Sequence, residues 1–274
     1  MSQRTVFFVS DQTGVTAETM GHSLLTQFEG LSFRTVTLPF VASVTKAAEA
    51  RARINAASEA DGLQAIVFST LIQDDLRVEV KAANAVFLDF FDAFLGPLEA
   101  ALGVKSSHAA GRAHGMANAE VYAARINATN FALANDDGGH TRDYDSADVI
   151  LVGVSRSGKT PTCLYMALQY GIHAANYPLT EDDLESLRLP SALASHRSRL
   201  YGLTIDPDRL QQIRNERRPD SRYASAQQVA FEVRQAEALF QRLSIPYLDT
   251  THCSVEEIGS RIVHSAGIHR RLHP

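Results

Sequence analysis

Val149-Ile150-Leu151-Val152-Gly153-Val154-Ser155-Arg156-Ser157-Gly158-Lys159-Thr160-Pro161-Thr162-Cys163-Leu164 runs from four apolar residues, through G-x-x-x-x-G-K-T, into a helix-forming stretch. The short apolar run reads as a strand buried on both faces. Glycines at the two ends of the loop let it fold back, so that backbone N–H groups cradle an anion where the next helix begins. Lys159 then reaches the terminal phosphates of a nucleotide, and the Thr160 hydroxyl is placed to hold Mg²⁺. Pro161 fits the first helical turn, where its missing N–H leaves no hydrogen bond unmade. The bland alternative is a glycine-rich turn before an ordinary helix. Lysine occurs only at Lys46, Lys81, Lys105 and Lys159, so finding one at this spacing, behind a strand and ahead of a helix, favours phosphate binding. The expected nucleotide-binding set is Gly153, Val154, Ser155, Arg156, Ser157, Gly158, Lys159 and Thr160. Lys159 is expected to meet phosphate and solvent rather than core.

The same alternation extends outward in both directions. Upstream, β-rich runs at 5–9, 33–38, 65–68 and 85–88 are separated by helical patterns at 17–28, 44–57 and 74–82. Helical stretches follow at 92–102 and 118–133. Downstream, strands are expected at 149–152, 174–177, 200–205 and 245–248. Helices are expected at 159–170, at 255–263 and in a long stretch closing at 239–243. Apolar strands separated by helices specify a parallel sheet covered on both faces. The fold class is α/β, an N-terminal parallel-sheet portion followed by a P-loop kinase-like α/β portion. The polar, turn-rich stretch at 134–140 is the best boundary, giving domains 1–140 and 141–274.

Composition sets limits. Apolar residues make up 45% and charged residues 21% of 274, as in a soluble globular protein. The net charge of −5 gives no reason to expect nucleic acid as a partner. No apolar run approaches the ~20 residues that span a bilayer, so no membrane partner is expected. The N-terminus runs straight into a strand pattern, which leaves a cytoplasmic location as the expectation. Cys163 and Cys253 stand far apart and read as reduced thiols, and the histidines show no metal-ligand spacing. Oligomeric state is not legible here; a homodimer is one option.

Phosphoryl transfer needs a carboxylate to orient Mg²⁺ or a hydroxyl nucleophile. Asp206 closes the strand pattern of 200–205, at the end where open α/β sheets bind ligands. The sequence Asp206-Pro207 equally describes a helix cap. Arg209, Arg214, Arg217, Arg218 and Arg222 cluster after it, either gripping phosphate or forming a solvated helix face. Arg156, within the loop itself, starts beside the anion. Another strand–loop–helix turn carries Ser10, Asp11, Thr13 and Gly14 and could hold an acceptor or a second phosphate. Arg112 and His114, with His108 nearby, are further candidates for anion contact. Asp136-Asp137-Gly138 reads as a plain turn as readily as a site.

Together these stretches resemble the phosphoenolpyruvate synthase regulatory proteins, relatives of the plant pyruvate, phosphate dikinase regulatory proteins. The matching residues are Phe8 to Asp11, Thr13 to Glu18, Thr37 to Val41, Asp136 to Gly138 and Gly153 to Thr162. Further matches are Ala175 to Pro178, Gly202 to Pro207, Ser221 to Ser225 and Ser254 to Ile258. The resemblance implies a bifunctional enzyme. In one direction the β-phosphoryl of ADP passes to a protein threonine, inactivating phosphoenolpyruvate synthase or pyruvate, phosphate dikinase. In the other, inorganic phosphate removes the group and pyrophosphate leaves. On this reading Lys159, Asp206 and Arg156 are catalytic, Mg²⁺ sits at Thr160, and Ser10, Asp11, Thr13, Arg112, His114, Arg209 and Arg222 are candidate acceptor or second-phosphate contacts. The chain departs from the family's His-Arg-x-His-Gly run, with Gly111 in place of the first histidine. A P-loop small-molecule kinase and an ADP-sensing module without transfer remain the alternatives.

Overall fold

The computed structural model describes residues 3–108 and 119–272. The chain forms two compact units, Met1–Ala117 and Asn118–Pro274. The first holds β1 (Arg4–Val9), β2 (Phe33–Leu38), β3 (Ala65–Ser69) and β4 (Ala85–Asp89), all parallel, in the order β2-β1-β3-β4. Alternate residues of β1 feed two separate cores. Phe7 and Val9 pack with Ala47, Ala50 and Ile54 of α2 (Val44–Asp61) and with Leu76 and Val80 of α3 (Asp74–Lys81). Val6 and Phe8 pack with Ala17 and Leu25 of α1 (Val15–Leu25) and with Phe90, which opens α4 (Phe90–Leu102). The sheet is covered on both faces, as its apolar strands require.

The second unit repeats this plan. β5 (Val149–Gly153), β6 (Ala174–Pro178), β7 (Leu200–Thr204) and β8 (Tyr247–Asp249) are parallel in the order β6-β5-β7-β8. Every residue of β5 is buried. Ile150 and Val152 face Leu184, Leu210 and the Val229–Phe240 stripe, contributed by α7 (Glu181–Ser186), α8 (Pro207–Arg217) and α9 (Ala226–Leu243). Val149 and Leu151 face Met166 and Ala167 of α6 (Lys159–Tyr170) and Ile258 and Ile262 of α10 (Val255–Ser265). Fully burying a side chain such as Ile150 or Leu151 stabilises the sheet by roughly 1.5–3 kcal/mol.

Ala128 and Ala132 of α5 (Ala119–Ala134) join that same cluster beside Cys163 and Met166. α5 therefore belongs to the second unit, and the division falls at 117/118 rather than at the expected 140/141. The polar stretch after α5 folds as two short 3-10 turns, Asp136–Gly138 and Thr141–Ser146, that lead into β5. In each unit the first strand is central, the second lies on one side, and the third and fourth lie on the other. The crevice between first and third strands is where such sheets bind ligands. Among the described residues, no helix is long and apolar enough to cross a membrane.

Candidate functional site

Residues 154–158 leave β5 at that crevice and turn into α6. Gly153 cannot be replaced without displacement, because a Cβ there would lie 2.3 Å from the Leu203 carbonyl oxygen of the neighbouring strand. Gly158 takes the left-handed conformation (φ 90°, ψ 8°) that turns the chain into the helix, and α6 starts without a side-chain cap. Arg156 is also left-handed, with φ 74°. Ser157 Oγ is buried and has no protein partner, a polar atom that a phosphate oxygen would satisfy. The local sequence thus folds into an uncapped helix start behind a hydroxyl-bearing loop, which suits an anion.

Lys159 is buried, contrary to the expectation of a solvent-facing side chain, with only 4% of its surface exposed. Its Nζ donates to the carbonyls of Gly153 at 3.1 Å and Val154 at 2.9 Å. Burial lowers its pKa to about 8, against the opposing pull of the Asp137 and Asp136 carboxylates.

A second group converges on the loop from the turn after α5. Asp136 Oδ1 accepts from the Thr160 hydroxyl at 2.8 Å and from Asn176 Nδ2 at 2.5 Å. The Asn176 amide oxygen accepts from the Asp137 N–H at 3.1 Å. Asn176 is fully buried on β6, so its two-ended grip fixes the Asp136-Asp137 turn beside the phosphate loop. Asp136, Asp137, Arg156, Lys159, Thr160 and Arg217 line a cleft of about 470 Å³. Five of these six are charged, with two carboxylates and three cationic side chains lining the one cleft.

Among the described residues no group of three or more His, Cys, Asp or Glu is set to hold a metal ion. The oxygen donors present, Thr160 Oγ1 and the Asp136 carboxylate, nonetheless suit Mg²⁺. That ion takes one or two carboxylates plus phosphate oxygens and keeps several waters.

The arginine cluster separates into distinct roles. Arg214 is fully buried, donating to Tyr223 O at 3.0 Å, Ser155 O at 3.1 Å and Glu232 Oε2 at 2.6 Å. Its guanidinium also lies 4.2 Å from the centre of the Tyr223 ring. Arg217 lines the cleft. Arg222 pairs with Glu181, and Arg209 is exposed beside Gln212.

Asp206 caps α8. Its Oδ1 accepts from the N–H groups of Asp208 and Arg209, each at 3.0 Å, and it is not among the residues lining the cleft. The sequence leaves Asp136 open between a turn and a site; the signal that favours a site is the hydroxyl three residues into the G-K-T segment, which needs an acceptor. Ser10, Asp11 and Thr13 belong to the first unit, where Ser10 and Asp11 are buried and Thr13 is exposed. Burial raises the Asp11 pKa, and its Oδ2 has no hydrogen-bond partner. Arg112 and His114 lie outside the described residues.

The family model of the kinase/pyrophosphorylases matches residues 6–263. The chain belongs to the kinase/pyrophosphorylase family. Relatives span its whole length. A protein of Alcanivorax borkumensis is 56% identical over 270 residues, covering 98% of this chain and 99% of its own. Proteins of Ectopseudomonas mendocina and Pseudomonas fluorescens are each 54% identical with the same coverage. All three are named, provisionally, as phosphoenolpyruvate synthase regulatory proteins. Membership in this family implies phosphotransfer with nucleotide and phosphate as substrates.

Proposed function

We propose that this protein regulates phosphoenolpyruvate synthase by reversible phosphorylation of a threonine, with ADP as donor and inorganic phosphate as the agent of removal. The observation that carries the reading is the convergence of Lys159, Thr160 and Asp136 on one cleft, in a chain of the kinase/pyrophosphorylase family. The relatives' names supply the target enzyme.

In the forward direction the acceptor hydroxyl attacks the β-phosphorus of ADP, and the bond to the α-phosphate oxygen breaks to release AMP. In the return direction a phosphate oxygen attacks the phosphothreonine phosphorus, and the threonine oxygen leaves as pyrophosphate forms. Both steps move one phosphoryl group between oxygens, so a single cradle serves both. Lys159, Arg156 and Arg217 neutralise charge on the transferred group. Asp136 orients the Thr160 hydroxyl, and the two would hold Mg²⁺, which supplies further charge neutralisation. Asp137, held by its backbone to Asn176 and lining the cleft, takes the proton of the acceptor threonine. Asp206 keeps its place as the cap of α8.

Incubating the protein with phosphoenolpyruvate synthase and ADP labelled at the β-phosphate tests the reading. Label on a threonine of the synthase, released as pyrophosphate on adding phosphate, is the expected result. Label on a small metabolite would mean a small-molecule kinase, and no transfer would mean a nucleotide sensor.

A further inference from the structure

The second unit contains another, larger cleft of about 670 Å³, lined among others by Glu181, Glu185, Arg222, Gln228, Phe231 and Arg234. Both of its rims are tied to the phosphate loop. One rim is α7, reached from β6 through Leu179, whose N–H donates to the Gly153 carbonyl at 3.0 Å. The other is the 3-10 turn Arg222–Ala224 with the start of α9. There the Tyr223 and Ser155 hydroxyls share a hydrogen bond at 2.9 Å. Gln228 donates to Glu232 Oε1 at 3.0 Å, and Glu232 Oε2 accepts from Arg214, which donates in turn to Ser155 O. A side chain lining this cleft is thereby connected through a buried ion pair to the loop that grips phosphate.

The rims differ in charge. α7 opens with Glu181, Asp182 and Asp183 and adds Glu185, while the opposite rim carries Arg222 and Arg234; Glu181 pairs with Arg222 from rim to rim, so Glu185 and Arg234 are the charges offered to a ligand. A free phosphate or nucleotide would meet Glu181 and Glu185 as well as the arginines. A small apolar ligand would find one aromatic ring, Phe231. Acid on one side, base on the other, and the amides of Gln227 and Gln228 match an extended polypeptide that carries both charges.

We propose that this cleft holds the segment of the protein acceptor that flanks its threonine, an inference that rests on the protein-kinase reading above. The two rims' attachment to Gly153 and Ser155 places a bound segment in register with the loop. Only a polypeptide long enough to fill this cleft would then be a good acceptor.

Arg234 and Glu185 are both exposed, so reversing either charge leaves the cores untouched. Arg234→Glu and Glu185→Lys are to be compared with wild type, using purified phosphoenolpyruvate synthase as acceptor and calorimetry for ADP. The expected result is an acceptor KM raised about tenfold or more in each variant. ADP affinity and kcat at saturating acceptor should stay within about twofold. An unmoved acceptor KM in both variants, with transfer intact, overturns the docking assignment alone. A parallel loss of ADP affinity also overturns it, by showing a general defect of the loop. A wild-type protein that transfers nothing to the synthase overturns the protein-kinase reading and this inference together.

Discussion

Residues 10–14 leave the first strand of one sheet and residues 154–158 leave the first strand of the other, and the two loops turn alike. Each ends in a left-handed glycine, Gly14 at φ 85°, ψ −7° and Gly158 at φ 90°, ψ 8°, and neither following helix has a side-chain cap. Each helix carries threonine at its second position, Thr16 and Thr160. The side chains then diverge. Lys159 occupies the first helical position in one unit, whereas Val15 occupies it in the other. The N-terminal loop encloses Asp11, whose burial raises its pKa and whose Oδ2 lacks a partner. The turn is therefore a property of a parallel strand feeding a helix at the sheet's crevice. On the reading proposed above, phosphate chemistry belongs to the lysine and to what surrounds it, whereas the first loop has Val15 at that position and a buried carboxylate, Asp11, within it.

Lys159→Ala makes the second loop resemble the first and should have the largest effect. Rates in both directions should fall by about 10²–10³ or more. Dephosphorylation at the wild-type rate in that variant would mean that the two directions use different sites.

Next in size is the contrast between two carboxylates. Asp136→Asn should lower phosphorylation by roughly a hundredfold, because the acceptor for Thr160 is weakened and, on the proposed reading, so is the charge that would stand beside Mg²⁺. Asp206→Asn should leave turnover within about threefold, since Asn caps helices about as well as Asp. Steady-state rates of the two variants at saturating ADP decide between them; the reverse ranking would restore Asp206 to catalysis.

Each loop brings its own pH dependence, and that of the second comes from its lysine. With a pKa of about 8 in the nucleotide-free protein, against 10.5 in the unfolded chain, Lys159 gives up its proton early on folding. Between those values the unfolded chain binds more protons, so stability contributed by this group rises with pH across that window. Nucleotide phosphates restore the charge, so ADP affinity should fall as pH rises above about 8, with proton uptake measurable by calorimetry in buffers of different ionisation enthalpy. Lys159→Ala should abolish that dependence.

Asp11→Asn in the first unit should have the smallest effect. The raised pKa means that stability falls as pH climbs from 3.8 toward the folded value and stays lowered above it. Removing the charge should raise the thermal midpoint at pH 7, by less than any of the rate effects above would suggest if expressed as free energy. A lowered midpoint would mean that the Asp11 charge has a stabilising partner.

Periodicity made the sheets legible. The helix expected at 159–170 is α6, Lys159–Tyr170, and each expected strand is found with its ends within two residues of the expected ones. α7 was missed because six residues, Glu181–Ser186, are too few to show a helical period. The boundary was misplaced because the polar composition after α5 resembles a linker, while the packing of Ala128 and Ala132 is a tertiary fact. The loop residues were legible from their motif. Asp136 was not, since its approach to Thr160 depends on Asn176 of a neighbouring strand, forty residues away in sequence. Asp206 was ambiguous for a local reason: capping and ligand binding call for the same residue at the end of the same strand.

The lysine held by Gly153 and Val154 gives nucleotide a loop already fixed in shape. Before any ligand arrives, the ammonium already bridges two carbonyls of the loop it serves, like a peg that keeps a mould open. Its remaining proton is free to greet the first phosphate oxygen, and the loop has no ordering left to do. Association with ADP should then be a single fast phase without a slow rearrangement behind it, and the empty loop should resist hydrogen exchange almost as well as the occupied one.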